Sequence, residues 1–129
     1  MKRLLLYIVS LSLLSISLSA QGLKHTTSYT EGLKDAISQK KPMVIFMYGN
    51  NCPWCSRMEK TTLSNKEVVE YLNKNFVFVA LNQDRGGFPK KYTPKGVPTT
   101  YIVNPENERI IYTMMGYKES QKFLSRLKL

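Results

Sequence analysis

The chain has 129 residues, 43% of them hydrophobic, with a formal net charge of +10, which fits one domain around one core and leaves little room for a second. Its two cysteines and single histidine are too few for a structural zinc site, which needs about four ligands. The lysines are scattered rather than interleaved with aromatics, which argues against nucleic-acid binding and leaves solubility, acidic partners or a membrane surface as uses of the charge.

Met1-Lys2-Arg3, a serine-diluted apolar run from Leu4 to Leu18, and Ser19-Ala20-Gln21-Gly22 form the three regions of a secretory signal peptide. The run is short for a membrane span of about 20 residues. Cleavage is expected after Ala20; because Leu18 is large for its place before the cut, a nearby cut or a retained anchor are the alternatives. Residues 1–20 are thus expected to be a signal and 21–129 the mature domain, which still carries +8 once Lys2 and Arg3 are gone. Export puts a cysteine pair in an oxidising compartment, and the bacterial periplasm is the natural address.

Within the mature segment, Ser28 to Glu31 opens a helix whose apolar positions Leu33, Ala36 and Ile37 recur at helical spacing, with Lys40 and Lys41 in its last turn and Pro42 as the stop. Met43 to Tyr48 is a continuous apolar run bounded by Pro42 and Gly49, the pattern of a buried central strand. A helix containing Cys55 to Lys60 follows, broken at Thr61-Thr62-Leu63. Ser64 and Glu67 read as a capping box opening a further helix, Lys66 to Asn73, with Val68, Val69 and Leu72 inward.

Phe76 to Leu81 reads as a second strand, and Asn82 to Gly96 as a polar loop with a short helix around Pro89 to Tyr92. Thr99 to Val103 and Arg109 to Tyr112 are β-branched and aromatic runs joined by Asn104-Pro105-Glu106-Asn107, a hairpin signal. After Gly116, Phe123, Leu124 and Leu127 give a last helix an apolar face. This order implies an α/β fold with a central mixed sheet of about four strands flanked by helices.

The chemistry lies in Cys52-Pro53-Trp54-Cys55, directly after the central strand. That position puts Cys52 at a helix N-terminus, where free N–H groups and the helix dipole favour a thiolate and make Cys52 the expected nucleophile. Cys55, one turn further, is the expected resolving thiol; Pro53 suits the first helical turn, and Trp54 is expected to stand exposed beside the sulfurs. Haem attachment fails because Ser56 stands where a histidine is required. A purely structural disulfide across so short a loop would constrain the unfolded chain little. Met43, Met47, Met58, Met114 and Met115 raise a Cu(I) reading, against which core packing is the plainer one. His25 reads as a solvated residue near a loose terminus, and Tyr48 as either a substrate contact or a core residue.

Two separated motifs, Cys52-Pro53-Trp54-Cys55 and Gly96-Val97-Pro98-Thr99-Thr100, resemble the thioredoxin superfamily, and the likeness covers about residues 28 to 128. More narrowly, Cys55 to Ser64, Val68 and Phe76 to Val79 are similar to the C-terminal thioredoxin-like domain of DsbD and related small periplasmic thioredoxins. The resemblance implies a thioredoxin fold, a cis Pro98 opposite the cysteines, and substrate contacts from Trp54, Val97 and Pro98, with Val97's backbone pairing an extended client. Two departures stand out: Phe46 takes the place of the family's buried aspartate, and Ala80 that of its nearby lysine.

The function expected is that of a periplasmic thiol:disulfide oxidoreductase, in the direction of a disulfide reductase. A DsbA-like oxidase and a copper metallochaperone are the alternatives. The expected partners are exported proteins bearing disulfides or thiols, with a DsbD-type membrane electron donor. A monomer without cofactor or nucleic-acid partner is expected.

Overall fold

The computed structural model describes residues 21–129, so the signal peptide expected over residues 1–20 lies outside the described residues. In chain order the elements are α1 (Tyr29–Gln39), β1 (Met43–Tyr48), α2 (Pro53–Lys60), α3 (Lys66–Asn75), β2 (Val77–Asn82), a 3-10 turn (Lys90–Tyr92), β3 (Thr99–Asn104), β4 (Arg109–Met115) and α4 (Ser120–Leu127). The strands form one mixed sheet in the order β2-β1-β3-β4, the fold the sequence implies. Strand β1 pairs in parallel with β2, from Met43 against Val77 to Tyr48 against Asn82, and antiparallel with β3, from Met43 against Val103 to Met47 against Thr99.

Because side chains alternate along a strand, β1 feeds two cores. Val44 and Phe46 pack with Phe78, Ile102 and Met114 beneath α2, α3 and α4, which contribute Met58, Leu72 and Phe123. Met43, Ile45 and Met47 face the other way, among Val79, Leu81, Val103 and Tyr92, beneath α1. Burial of each such side chain is worth about 1.5–3 kcal/mol, so a strand covered on both faces reads as the unbroken apolar run seen in the sequence.

Several local expectations are corrected. The cap of α3 is Asn65, whose side chain accepts from the Val68 N–H at 3.2 Å, while Ser64 turns back to donate to the Glu59 carbonyl at 2.6 Å. Either residue could have capped; Ser64 lost its chance by closing the end of α2. On α1, Ile37 is 52% exposed, and the buried positions are Tyr29, Gly32 and Ala36. Small residues face the sheet because the helix lies too close to admit larger ones: a Cβ on Gly32 would come within 2.3 Å of Val79 Cγ2. Lys40 caps α1 in the left-handed region at φ 54° instead of sitting in its last turn. Strand β2 starts at Val77, and β4 continues to Met115, beyond the expected ends.

The segment around His25 is not loose. Thr26 bridges to Val79, donating its N–H to the Phe78 carbonyl at 3.1 Å and accepting from the Ala80 N–H at 2.9 Å. Asn73 accepts from the Lys24 N–H at 2.9 Å and donates to the Gly22 carbonyl at 3.1 Å. His25 itself stays exposed.

On the α1 side, the hairpin is tied down by Glu108, whose carboxylate accepts from the Tyr29 hydroxyl and whose carbonyl accepts from the Tyr92 hydroxyl at 2.8 Å. Glu108 holds this position at φ 56°.

Two outcomes follow from these contacts. Gly32→Ala is expected to cost about 1–3 kcal/mol through overpacking against Val79, read as a lower denaturant midpoint at unchanged m-value. Burial, reinforced by the Glu108 hydrogen bond, pushes the Tyr29 phenol above its ordinary 10.0. The folded protein therefore holds that proton more tightly than the unfolded chain, and the stabilisation is complete below about pH 10 and lost as the pH rises through the folded value. Unfolding free energy above that pH should fall more steeply in wild type than in Tyr29→Phe; parallel curves would refute the coupling.

Candidate active site

After Tyr48 the chain leaves the sheet through Gly49-Asn50-Asn51 and enters α2, with Cys52 as N-cap and Pro53 in the first helical turn. The end of β2 holds this turn in place. The Asn50 N–H donates to Asp84 Oδ2 at 2.8 Å, Asn82 Nδ2 donates to Asn50 Oδ1 at 3.0 Å, and the Gln83 N–H donates to the Tyr48 carbonyl at 2.8 Å. Gly49 lies close under this end of the sheet, since a Cβ there would come within 2.9 Å of Gln83 Nε2.

Cys52 and Cys55 are joined by a disulfide with their Cα atoms 5.3 Å apart. Cys52 is half-buried, whereas Cys55 is 3% exposed and packs in the core with Phe46 and Met58. The Cys55 N–H donates to Cys52 Sγ at 3.2 Å. An aimed N–H at a helix N-terminus favours negative charge on that sulfur once the disulfide opens. Phe46 and Ala80 both pack against the core that holds Cys55, so the wall behind that sulfur is apolar.

A cleft of about 500 Å³ opens at the disulfide, bordered by Tyr48, Gly49, Cys52, Cys55, Ser56 and Glu59. Tyr48 is half-buried with its ring 6.3 Å from that of Phe46, so it is at once a core residue and a cleft wall. Glu59 was passed over in the sequence; its signal is the four-residue spacing from Cys55, which puts both on one helix face.

The Val97–Pro98 peptide bond is cis, with Pro98 buried and Val97 half-buried. Val97 adjoins the turn before Cys52, since a Cβ on Gly49 would sit 3.4 Å from Val97 Cγ2. The loop is held on both sides: Thr99 Oγ1 donates to the Gly96 carbonyl at 2.6 Å, and the Gly116 N–H donates to the Pro98 carbonyl at 2.8 Å. The fold thus brings together two motifs far apart in sequence.

Trp54 is 54% exposed, as expected. It is not alone: the Arg57 guanidinium carbon lies 5.2 Å from its ring centroid and 5.5 Å from that of Tyr117, and the two rings are 5.5 Å apart. The Tyr117 phenol is held below its ordinary value, first by the hydrogen bond with Thr61 and also by the Arg57 charge. Arg57 had a signal in its three-residue spacing from Trp54, but Tyr117 had none, because only the fold brings the chain after β4 to this helix.

Among the described residues, no group of three or more His, Cys, Asp or Glu side chains is placed to hold a metal. Met43, Met47, Met58 and Met114 are buried as packing, and Met115 is 57% exposed.

Residues 29–129 match the model of a thioredoxin-like domain. The chain belongs to the thioredoxin-like family. It is 33% identical over 91 residues to an uncharacterised protein of Archaeoglobus fulgidus, covering 69% of this chain and 72% of that one. It is also 26% identical over 98 residues to the thiol:disulfide interchange protein DsbD of Yersinia pestis, a match covering 72% of this chain and only 16% of DsbD. Among solved structures, the oxidised C-terminal domain of Neisseria meningitidis DsbD superposes with a TM-score of 0.60 at 21% identity, over 80% of this chain and 97% of that domain. A thioredoxin-like fold with a Cys-x-x-Cys redox pair is that of a thiol:disulfide oxidoreductase.

The tie between turn and sheet has a direct test. Asp84→Ala should speed amide hydrogen exchange at Asn50 and lower stability by about 1 kcal/mol; unchanged exchange would show that Asp84 does not restrain the turn.

Proposed function

We propose that this protein is a periplasmic disulfide reductase that acts on exported proteins through the Cys52–Cys55 pair. The observation that carries the proposal is the asymmetry of the two sulfurs: Cys52 is partly accessible, caps α2 and accepts the Cys55 N–H, whereas Cys55 is buried behind it. A Cys52 thiolate attacks one sulfur of a client disulfide and expels the other as a thiolate. The resulting mixed disulfide is then attacked by Cys55, which releases the reduced client and leaves Cys52–Cys55 oxidised. Two electrons pass from the protein to the client, and the proton shed by Cys55 leaves through the cleft beside Ser56 and Glu59.

Val97 and Pro98 line the approach on the far side of the turn, where an extended client would lay its backbone against Val97. The N-terminal pattern of residues 1–20 supports export, and the likeness to DsbD supports the reducing direction and a membrane electron donor of that type. Between α2 and the Val97–Pro98 loop the described residues form only α3, β2 and a 3-10 turn, which leaves no place there for a helical insertion like that of the oxidase DsbA. Pro53 and the Val97–Pro98 pair are features shared with such oxidases, so the oxidising direction is the second reading.

The reduction potential decides between them, followed through Trp54, the one tryptophan and a neighbour of Cys55. A value near thioredoxin's, about −270 mV, is expected; one near DsbA's, about −120 mV, would reverse the direction. Cys55→Ser should accumulate mixed disulfides with exported proteins, and Cys52→Ala should form none. Failure to trap clients, together with stoichiometric Cu(I) binding by wild type, would favour a metallochaperone instead.

A further inference from the structure

Beside the disulfide, three side chains from distant parts of the chain form a strip whose chemistry the exchange reaction itself does not use. Trp54 lies in the first turn of α2, Arg57 one turn later, and Tyr117 on the segment after β4. The Arg57 guanidinium lies over both rings, 5.2 and 5.5 Å from their centroids, with Trp54 54% exposed. The strip continues to the substrate loop, because Gly116, next to Tyr117, donates its N–H to the Pro98 carbonyl at 2.8 Å.

The two ring centroids are themselves 5.5 Å apart, so the guanidinium sits against both rings at once instead of standing free in solvent. A guanidinium carries its N–H donors in a planar fork suited to two-point pairing with a carboxylate, and aromatic neighbours favour the cation without supplying such an acceptor. No acceptor of that kind is supplied from within: among the described residues the one ion pair is Lys66–Glu70, and no carboxylate pairs with Arg57. The Tyr117 hydroxyl is already engaged with Thr61 Oγ1 at 3.2 Å, which holds the ring in place. The excess of positive charge over the chain adds a field of the same sign.

We infer that the Trp54–Arg57–Tyr117 strip is a specificity surface for client segments that carry an acidic side chain beside the cysteine undergoing exchange. A client backbone laid along Val97 and reaching Cys52 would run its flanking residues over this strip, where Arg57 pairs with a carboxylate and the two rings take up the apolar part of the side chain. The inference rests on the proposed dithiol exchange at Cys52, though not on its direction.

The test uses two disulfide-containing peptides, identical except that Glu or Lys flanks the reacting cysteine. Their rates of reduction by the reduced protein are compared, and so are the rates at which the same peptides, reduced, attack the oxidised protein. Wild type should exchange with the Glu peptide about two- to fivefold faster at low salt, the scale of one exposed ion pair, with the gap shrinking as salt screens it. Arg57→Gln should close most of the gap and Arg57→Glu should invert it, while both variants exchange with an uncharged peptide at the wild-type rate.

A ratio that is flat in wild type, or unchanged in Arg57→Gln, overturns the inference and leaves the exchange chemistry standing. No exchange with any peptide in either direction overturns the proposed function and this inference together. Arg57-dependent binding to vesicles of anionic lipid without peptide preference would assign the strip to a membrane surface and refute the client reading.

Discussion

Strand β1 is paired on both edges and covered on both faces, and the remaining structure is arranged around that constraint. Every backbone polar group along it must find its partner in β2 or β3, because water does not reach a strand so enclosed. The two partners therefore have to be long, regular and in register from Met43 to Met47. The strand ends where this enclosure ends, at Tyr48, and the chain emerges at the C-terminal end of an inner strand with its direction already set. The cysteine pair is delivered at that point of emergence, one short turn beyond the strand enclosed on both faces.

The turn itself has little apolar burial to hold it, so polar contacts do the work. Asp84, Asn82 and Gln83, all at the end of β2, engage Asn50 and Tyr48. Because β2 and β1 are parallel neighbours, the same register that stabilises the sheet also brings this polar end alongside the turn. Sheet pairing and site geometry are in this sense one constraint. Cys52, half-exposed at the start of α2, and Cys55, packed behind it with Phe46, lie in different surroundings although they are three residues apart.

That contrast bears on chemistry. Burial in apolar surroundings raises a thiol's pKa, and an N–H donor at a helix start lowers it. Cys52 takes the N–H donor and Cys55 the apolar surroundings, an arrangement that fits the proposed division into an attacking and a resolving sulfur. With Phe46 and Ala80 in the wall, the polar side chains beside the disulfide, Ser56 and Glu59, lie on the cleft side. The aromatic and cationic strip next to that cleft belongs to recognition rather than to electron transfer, and it is built from residues the exchange does not need.

Much of this was legible in the residues. The strands announce themselves through unbroken or β-branched apolar runs, since a strand buried on both faces admits nothing else, and the Cys-x-x-Cys pair announces its redox chemistry through its spacing together with its place between a strand and a helix. Likeness to a family extended that reading to Val97 and Pro98. What could not be read were contacts that depend on distance in space. The capping of α3 by Asn65 followed from competition for Ser64 at the end of α2. Gly32 faces the sheet because α1 approaches Val79 closely, a separation set by the packed layers and not by helical periodicity. Arg57 looks in sequence like any surface arginine, and becomes a framed cation because the chain after β4 folds back to place Tyr117 over it. Local pattern determined which segments form helices and strands and where the sulfurs lie, because those depend on neighbours within a turn or two; the tertiary fold alone decided what surrounds each sulfur, because that depends on residues the chain must travel its full length to bring together.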